Sequence, residues 1–286
     1  MTLESLDLKI KNSINILKQY EPKDGYWVAF SGGKDSIVIY DLVKKSGVKH
    51  EVHFNQTTID PPEIYKFIND NYPEVIWEIP KRSMFAAIRA RQVPPTRMRR
   101  YCCAELKELH GIGRVVVTGV RREESNSRKD RPVYGESHYN KNTIYCNPIV
   151  DWTLQDVWDY IRANNLKYPS LYNDGYDRIG CIMCPLQNRY GMLKDAIRYP
   201  KHYNAYLLAF EEMLYNCKMK HVGCKTELKW KSPEDVMFWW IYGIHRKDCK
   251  KEHWKLPTEP GFDLESIKPR SRRKTNLHDT LETSSV

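Results

Sequence analysis

The sequence predicts an α/β protein with a doubly wound, mostly parallel sheet, followed by a small helical C-terminal subdomain. Two observations predict this class. In the first half of the chain, short apolar segments alternate with amphipathic helical segments, an order typical of parallel sheets covered on both faces. From residue 191 this alternation gives way to helical segments rich in aromatic side chains. We therefore expect three parts: residues 1–190, residues 191–262 and a disordered tail at residues 263–286.

The individual elements follow from hydrophobic periodicity and turn residues. After an amphipathic N-terminal helix, strands are expected at residues 25–31, 49–55, 74–80, 114–120 and 142–150. Helices are expected at residues 35–47, 61–72, 83–92, 101–111, 153–165, 190–220 and 232–247. Thr153 and Asp156 suit the N-terminal cap of their helix. The polar segment 121–142 lacks periodicity and predicts a long loop.

Composition predicts where in the cell the protein is located and in which state its thiols are kept. No apolar run of about 18 residues occurs, and the N-terminus alternates charged with apolar residues, so we expect neither a membrane span nor a signal peptide. A cytoplasmic protein is the expectation. In that compartment thiols stay reduced, so the eight cysteines favour metal binding or thiol chemistry over a disulfide framework.

Positive charge is concentrated in one stretch. The formal net charge is +10, and residues 81–131 hold fourteen Lys and Arg against five Asp and Glu. Arginine outnumbers lysine there, which favours an anionic partner over a merely solvated face: a phosphorylated small molecule or a nucleic-acid backbone. The Trp239–Trp240 pair lies in a helical segment and is expected in the core rather than in a base-stacking platform.

The segment SGGKDS, residues 31–36, predicts a phosphate site and is called the phosphate loop below. Its two glycines permit a tight turn whose amides converge, and the helix that follows adds the partial positive charge of its N-terminus. Lys34 adds a full charge, and the two serines add hydroxyl donors. The spacing matches neither the Walker loop GxxxxGK[ST] nor the dinucleotide fingerprint GxGxxG.

Four cysteines form two pairs, Cys102–Cys103 and Cys181-x-x-Cys184. The second pair lies between Gly180 and Pro185, which fits a turn that presents two thiolates to one metal. Adjacent cysteines have diverging side chains, so they suit different irons of a cubane cluster better than one zinc ion. An iron–sulfur cluster, a zinc ion and unliganded or redox-active thiols all remain open on spacing alone.

Several segments resemble known families. SGGKDS after the first strand resembles the PP-loop of the adenine-nucleotide alpha hydrolases, which include ATP pyrophosphatases, tRNA thiolation enzymes and the phosphoadenosine phosphosulfate (PAPS) reductase family. YCCAELK, TGVRREES, NPIVDWTLQDVWDYI and LYNDGYDRIGCIMCP are similar to segments of assimilatory sulfonucleotide reductases. The cysteine pattern resembles the class that uses adenylyl sulfate. The resemblance spans residues 25–186.

This resemblance implies roles for individual residues. Arg121 and Arg122 would reach the anionic group of the nucleotide, together with Lys34, and Gly119 would let the backbone approach it. Thr57 and Thr58 would contact the adenosine, and Mg²⁺ is the expected counterion of the phosphates. The residues implied to line the phosphates are Ser31, Gly32, Gly33, Lys34, Asp35 and Ser36. The implied ligands of a 4Fe–4S cluster are Cys102, Cys103, Cys181 and Cys184.

The chain departs from the resemblance in two places. Sulfonucleotide reductases attack with the cysteine of a C-terminal Glu-Cys-Gly-x-His motif, which this sequence lacks. Another cysteine could replace the attacking cysteine of that motif: Cys249, Cys217 and Cys224 each lie among Lys and His, with Cys249 as the first candidate. Cys146 lies in a predicted strand and is expected in the core. Lys34 is the second departure, because it resembles ATP pyrophosphatases and PAPS-type enzymes more than cluster-bearing adenylyl sulfate reductases.

Three functions therefore remain. The first is an iron–sulfur PP-loop enzyme that uses ATP to adenylate an acceptor, with sulfur transfer to follow. The basic stretch 81–131 makes a nucleic acid a reasonable acceptor. The second is a reductase of adenylyl sulfate or PAPS that releases sulfite, using Cys249 and a thioredoxin-like reductant. The third is a nucleotide-binding regulator without catalysis.

Overall fold

The computed structural model describes residues 3–108, 111–136, 142–220 and 230–268. Cys224 and residues 269–286 of the predicted tail lie outside the described residues. Among the described helices, none is both long and apolar enough to cross a membrane.

A six-stranded sheet forms the centre of the N-terminal region, with strand order β3-β2-β1-β4-β6-β5. Neighbouring strands are parallel except for β5, which pairs antiparallel with β6. The strands are β1 (Tyr26–Ala29), β2 (His50–Asn55), β3 (Ile76–Glu78), β4 (Val115–Val117), β5 (Tyr134–Glu136) and β6 (Ile144–Cys146). The predicted doubly wound, mostly parallel sheet is confirmed.

Strand β5 corrects the predicted loop at residues 121–142. That segment contains two short 3₁₀ turns, Arg122–Glu124 and Asn126–Arg128, and then the edge strand β5. Three residues are too few to show alternation, and the register is set by pairing with β6, from Tyr134 opposite Cys146 to Glu136 opposite Ile144. Sequence periodicity therefore had no signal for this strand.

Nine α-helices accompany the strands in the described part of the chain. They are α1 (Leu3–Gln19), α2 (Lys34–Ser46), α3 (Pro62–Asn71), α4 (Met84–Arg91), α5 (Tyr101–Leu106), α6 (Leu154–Ala163), α7 (Arg189–Arg198), α8 (Pro200–Lys220) and α9 (Pro233–Tyr242). Thr153 and Asp156 form the predicted capping box of α6. The segment predicted as one helix at 190–220 is divided before Pro200, as expected where a proline begins a new helix.

Two hydrophobic cores hold these elements. The first surrounds the sheet and includes Val28 of β1, Val117 of β4 and the fully buried Cys146 of β6, as predicted for that cysteine. The second joins α7, α8 and α9 to parts of α4 and α5 and to the segment between Cys181 and Cys184. Both cysteine pairs therefore lie on or beside the second core, on the side of the helical region.

The tryptophan pair is divided between core and surface. Trp240 is buried in the second core, and its indole N–H donates to the carbonyl of Pro95 at 2.6 Å, so the prediction of a core residue is confirmed for Trp240. Trp239 packs at the edge of the same core and is only partly buried.

Candidate functional site

The phosphate loop connects the end of β1 to the beginning of α2. Gly32 has a left-handed φ of 69°, and a Cβ there would meet two isoleucine side chains of α3 at 3.2 and 3.3 Å, so glycine is required for both conformation and space. Ser36 closes the turn: its hydroxyl donates to the Gly33 carbonyl at 2.8 Å and accepts from the Ser31 amide at 3.1 Å. The loop is thus fixed by its own side chains.

A tyrosine hydroxyl lies at the N-terminus of α2. Tyr172, far along the chain, accepts a hydrogen bond from the Lys34 amide at 2.9 Å. The next amides, of Asp35 and Ser36, belong to the first turn, where a helix supplies no intrahelical acceptor. They point from a helix N-terminus and are suited to an anion. Burial raises the pKa of Tyr172, so it stays a neutral hydroxyl.

Two cations meet at Asp35. The Lys34 ammonium lies 3.1 Å from one carboxylate oxygen and 3.4 Å from the Asp177 carbonyl. Arg121 donates through Nε to the other carboxylate oxygen at 2.8 Å. Both cationic side chains are almost fully buried, at 6% and 4% exposed. Lys34, Asp35 and Arg121 therefore form one charged cluster beside the loop. Arg121 also pairs with Glu123 at 2.9 Å and Glu124 at 3.9 Å, so both cations of the cluster are held by carboxylates.

The neighbouring predicted residues have different environments. Arg122 donates to the Arg131 carbonyl at 3.0 Å and forms an ion pair with Asp151, so in this conformation its guanidinium is held by other partners. A Cβ on Gly119 would lie 3.0 Å from backbone and side-chain atoms of Asp35. Gly119 thus permits close packing of the chain after β4 against the first turn of α2.

Further arginines, which sequence reasoning did not single out, lie near this cluster. Burial lowers the pKa of Arg128, and the charges of Arg178 and Arg131 lower it further, so these guanidinium groups lie close together. The same Arg178 acts on the pKa of Tyr172. Tyr172 and Arg178 both fall within LYNDGYDRIGCIMCP, a segment that the sequence analysis identified by its resemblance to sulfonucleotide reductases but in which it assigned roles only to the two cysteines. Arg128 also forms an ion pair with Glu124, which offsets its charge.

Helix α5 presents the first cysteine pair. The pKa of Cys103 is lowered because the Cys102 thiol donates a hydrogen bond to it, and because Arg100 and Lys107 are positively charged. An Arg100 guanidinium nitrogen lies 3.6 Å from the Cys103 sulfur. The pKa of Cys102 is raised correspondingly by that hydrogen bond and by burial. A thiolate at Cys103 is favoured, as a metal ligand requires.

The second cysteine pair lies on a tight turn. Met183 between the cysteines has a left-handed φ of 55°, and the Cys184 amide donates to the Cys181 carbonyl at 3.2 Å. Asp195 of α7 fixes this turn by accepting from the Met183 amide at 2.8 Å and from the Gln187 side chain at 2.9 Å. Burial raises the pKa of Asp195, whereas the hydrogen bonds from Met183 and Gln187 lower it in part.

The two threonines predicted to contact adenosine lie beside the second pair. Thr57 is fully buried, and its hydroxyl oxygen lies 3.5 Å from the Cys181 sulfur. Thr58 has a left-handed φ of 65°, and its hydroxyl accepts from the Met84 amide at 3.0 Å. Thr57 therefore contacts the cysteines, and Thr58 holds the beginning of α4.

Lys107 interacts electrostatically with the cysteines. Its pKa is raised, first by Cys181 and also by Asp60, Cys103 and Cys184, against the opposing effect of burial. Burial raises the pKa of Cys181 itself, which favours its neutral thiol. Electrostatic interaction with Cys184 and Cys181 also contributes to the raised pKa of Cys102. The four predicted sulfur ligands therefore lie near enough to influence the pKa of Lys107 or of one another.

We compared this cluster with the needs of a metal group. Within the described ranges, no three His, Cys, Asp or Glu side chains converge closely enough to hold a single metal ion. A single zinc requires its ligands within about 2.3 Å of one point, whereas a cubane takes each thiolate at a different iron corner and so accepts a wider spacing. The described residues therefore show no mononuclear site, and a 4Fe–4S cluster on the four cysteines stays a prediction.

A family comparison identifies the domain to which these residues belong. The sequence profile of the phosphoadenosine phosphosulfate reductase domain matches residues 25–187, more than half of the chain. The chain belongs to the PAPS reductase domain family. The matched range contains the phosphate loop, Arg121 and both cysteine pairs.

Relatives of this PAPS reductase domain protein fall into two groups. An adenosine 5'-phosphosulfate reductase of Oceanobacillus iheyensis is 31% identical over 170 residues, covering 56% of this chain and 70% of the relative. Two uncharacterized proteins of Methanocaldococcus jannaschii are each 30% identical, covering 67% and 72% of this chain. The chain spans only 43% and 54% of those two proteins' own lengths.

Solved structures give weaker similarity. A PAPS reductase from Candida auris aligns with a TM-score of 0.46 at 20% identity, covering 63% of this chain and 96% of that one. The U34-tRNA thiolase of Methanococcus maripaludis, with its [4Fe-4S] cluster, aligns with a TM-score of 0.41 at 13% identity, covering 79% of this chain and 84% of that one. Similarity at this level says nothing about what this PAPS reductase domain protein binds.

The C-terminal cysteines lie in other environments. Cys249 lines a cavity of about 410 Å³ together with Trp254 and Lys251, and its thiol lies 3.7 Å from the Lys251 carbonyl. Among the described residues, no hydrogen bond joins Cys249 to the phosphate loop or to the four clustered cysteines. Cys217 on α8 lies 3.8 Å from the Gln92 carbonyl. A role for Cys249 as the catalytic nucleophile stays a prediction.

Proposed function

We propose that this PAPS reductase domain protein is an enzyme of sulfur metabolism that transfers the adenylyl group of ATP to an acceptor oxygen, with release of pyrophosphate, and so prepares the acceptor for sulfur transfer. The supporting observation is the buried charged cluster of Lys34, Asp35 and Arg121 at the phosphate loop. Its two buried cations, Lys34 and Arg121, suit the phosphate groups of a nucleotide bound at the loop.

The chemistry assigned to these residues is charge stabilisation. An acceptor oxygen would attack the α-phosphorus, the bond from that phosphorus to the bridging oxygen would break, and pyrophosphate would leave with the negative charge. The amides of Asp35 and Ser36 with Lys34 and Arg121 would bind that charge, and Asp35 would orient Arg121 through their 2.8 Å contact. Mg²⁺ is the proposed counterion of the β- and γ-phosphates. A sulfur nucleophile would then displace AMP from the acceptor.

The iron–sulfur site belongs to the same proposal. Cys102, Cys103, Cys181 and Cys184 would hold a 4Fe–4S cluster, and when bound it would supply a redox or Lewis-acidic centre for sulfur chemistry. Lys107 would offset part of the negative charge of the four thiolates. Thr57 connects the two regions, because it follows β2 at the carboxyl edge of the sheet and contacts Cys181.

A sulfonucleotide reductase is the second candidate. The relatives named adenosine 5'-phosphosulfate reductase favour it, and the same cations would accept the 3'-phosphate of PAPS. That reaction requires a cysteine nucleophile at the substrate sulfur and a thioredoxin-like reductant. Cys249 is the proposed nucleophile for it, but the cavity around Cys249 contains no residue of the phosphate loop. Adenylyl transfer therefore ranks first.

A product assay separates the candidates. Anaerobically reconstituted protein is given ATP, adenylyl sulfate or PAPS, each with and without dithiol and a single-stranded nucleic acid. Pyrophosphate formed from ATP supports adenylyl transfer, and sulfite that requires dithiol supports the reductase. Tight nucleotide binding without either product would leave the regulatory hypothesis. Lys34→Met is the loop control, because it removes one of the two cations without changing the cysteines.

A further inference from the structure

An aromatic pocket lies apart from the phosphate loop, at the edge of the second core. Trp230 and Trp239 meet with ring centroids 5.0 Å apart in an edge-to-face arrangement. His245 lies nearly parallel to Trp239, at an interplanar angle of 27° and 6.4 Å between centroids. The three rings line a cavity of about 380 Å³ with predominantly apolar walls. This volume falls within the range of small-ligand pockets.

The rim of this pocket is a short basic turn. The Thr96 amide donates to the Arg99 carbonyl at 3.1 Å, and the Arg99 amide donates to the Thr96 hydroxyl at 3.0 Å. The turn presents Met98, which is 92% exposed, and the exposed Arg99 at the mouth of the cavity. Since the turn is closed by its own hydrogen bonds, the exposed methionine and arginine are held in place rather than free to fold back.

The basic turn is joined to both cysteine pairs. Arg97 donates to the carbonyls of Pro185, Leu186 and Gln187 at 2.9–3.1 Å, directly after Cys184. On its other side the turn runs straight into α5, which carries the first pair. A ligand in the aromatic pocket would therefore lie one short segment away from the cysteines.

An unused donor also lies in the pocket wall. The Trp230 indole N–H is shielded from water and has no hydrogen-bond partner among the described residues. Buried donors in folded proteins nearly always have an acceptor. A ligand acceptor would reach this N–H only after a local shift of the pocket wall, because water does not reach it in the structure.

We propose that this pocket binds an unpaired base of a single-stranded nucleic acid, which would be the acceptor in the proposed adenylyl transfer. The role of the strand as acceptor rests on the proposed function, whereas binding of the base does not require adenylyl transfer. Aromatic rings for stacking beside exposed arginines for the backbone are the combination that single-strand binders use. Arg99 is exposed at the mouth of the pocket, and residues 97–100 contain no acidic residue, which suits an anionic strand better than an acidic peptide.

Binding is tested with the cluster-loaded protein and ten-nucleotide oligo(dT), oligo(U) and an abasic oligomer of equal length, followed by tryptophan fluorescence. Trp239→Leu should weaken binding of both base-bearing oligomers by about 5- to 100-fold. It should leave the abasic oligomer nearly unchanged. Trp254→Leu, in the cavity beside Cys249, is the matched control and should bind like the parent protein.

Arg99→Gln provides a test that does not depend on core packing, because Arg99 is exposed. It should weaken all oligomers alike and reduce the slope of log affinity against log salt by about 0.7 for the lost phosphate contact. The inference is overturned if the abasic oligomer binds as tightly as oligo(dT) and oligo(U), or if Trp239→Leu binds like the parent. Preferential binding of an acidic peptide at the same pocket would overturn it as well.

The two proposals fail separately. Pyrophosphate release from ATP in a protein that binds no oligomer would refute the base pocket and leave adenylyl transfer standing. Base-dependent oligomer binding in a protein that releases no pyrophosphate would retain the pocket and refute adenylyl transfer. Competition by free ATP against the oligomer at Trp239 would assign the pocket to the mononucleotide and overturn the inference.

Discussion

Replacing Tyr172 with phenylalanine separates stability from nucleotide binding at the phosphate loop. The Tyr172 hydroxyl accepts from the Lys34 amide at 2.9 Å, at the helix terminus where a phosphate oxygen is expected to bind. Phenylalanine keeps the ring and its packing but removes this acceptor. In the free protein the amide then has no partner, whereas in the nucleotide complex a phosphate oxygen can take that place.

The structure sets the size of both effects. Lys34 is 5% exposed, so water cannot readily replace the lost acceptor, and an unpartnered buried amide costs about 1–3 kcal/mol. We therefore expect the free Tyr172→Phe protein to melt lower, by about 2–4 °C for each kcal/mol in a chain of this size. Because the nucleotide restores the hydrogen bond, its binding should tighten by about fivefold or more.

The assay is thermal unfolding and calorimetric binding of a nonhydrolysable ATP analogue, on parent and variant protein. Tyr26→Phe is the matched control, since the Tyr26 hydroxyl makes a buried hydrogen bond of 2.9 Å to the Leu17 carbonyl in the first core. Both variants should lose stability, and only Tyr172→Phe should gain nucleotide affinity. Equal or weaker nucleotide binding by Tyr172→Phe would refute the reasoning that its hydroxyl occupies a phosphate position.

Three further outcomes are expected. Cys181→Ser should abolish the broad absorption near about 400 nm of anaerobically loaded protein, whereas the core variant Cys146→Ser should retain it; a colourless protein with stoichiometric zinc would contradict the cluster. Arg121→Gln should weaken ATP binding at least about tenfold, because it removes one of the two cations on Asp35. Arg122→Gln should weaken ATP binding much less, because Arg122 is held by other partners. Equal losses in calorimetry would count against Arg121 as a phosphate-binding cation. Burial lowers the pKa of His202, so folding favours its neutral form, and the free energy of unfolding should fall as pH decreases below about 6.5. In urea titrations at several pH values, His202→Gln should reduce the dependence of the unfolding free energy on pH. An unchanged dependence would argue against this role of His202.

Local signals were enough for the fold and for the phosphate loop. The left-handed Gly32 between an apolar strand and a helix determines the turn at residues 31–36, and the alternation of strands and helices determines a parallel sheet. The Thr153 cap likewise depends on residues three positions apart. Each of these features is encoded within a few neighbouring residues.

Long-range contacts were not visible in the sequence. Tyr172 reaches the Lys34 amide across 138 positions, and Lys107 gains its place among the cysteines only when α5 packs beside the turn at Cys181. Trp239 and Trp240 are adjacent, yet one lines a pocket and the other is buried, because successive helical side chains point in different directions. Such contacts depend on tertiary packing, which no local pattern specifies.

Adenylyl transfer is tested most directly by following the phosphorus that is attacked. Cluster-loaded protein is incubated anaerobically with single-stranded nucleic acid and with ATP labelled separately at the α- and γ-phosphates. We expect the α-label in AMP or on the nucleic acid, and the γ-label in pyrophosphate, with both products lost in Lys34→Met. Release of the γ-label as orthophosphate, or no turnover of ATP alongside dithiol-dependent sulfite from a sulfonucleotide, would contradict the proposed reaction.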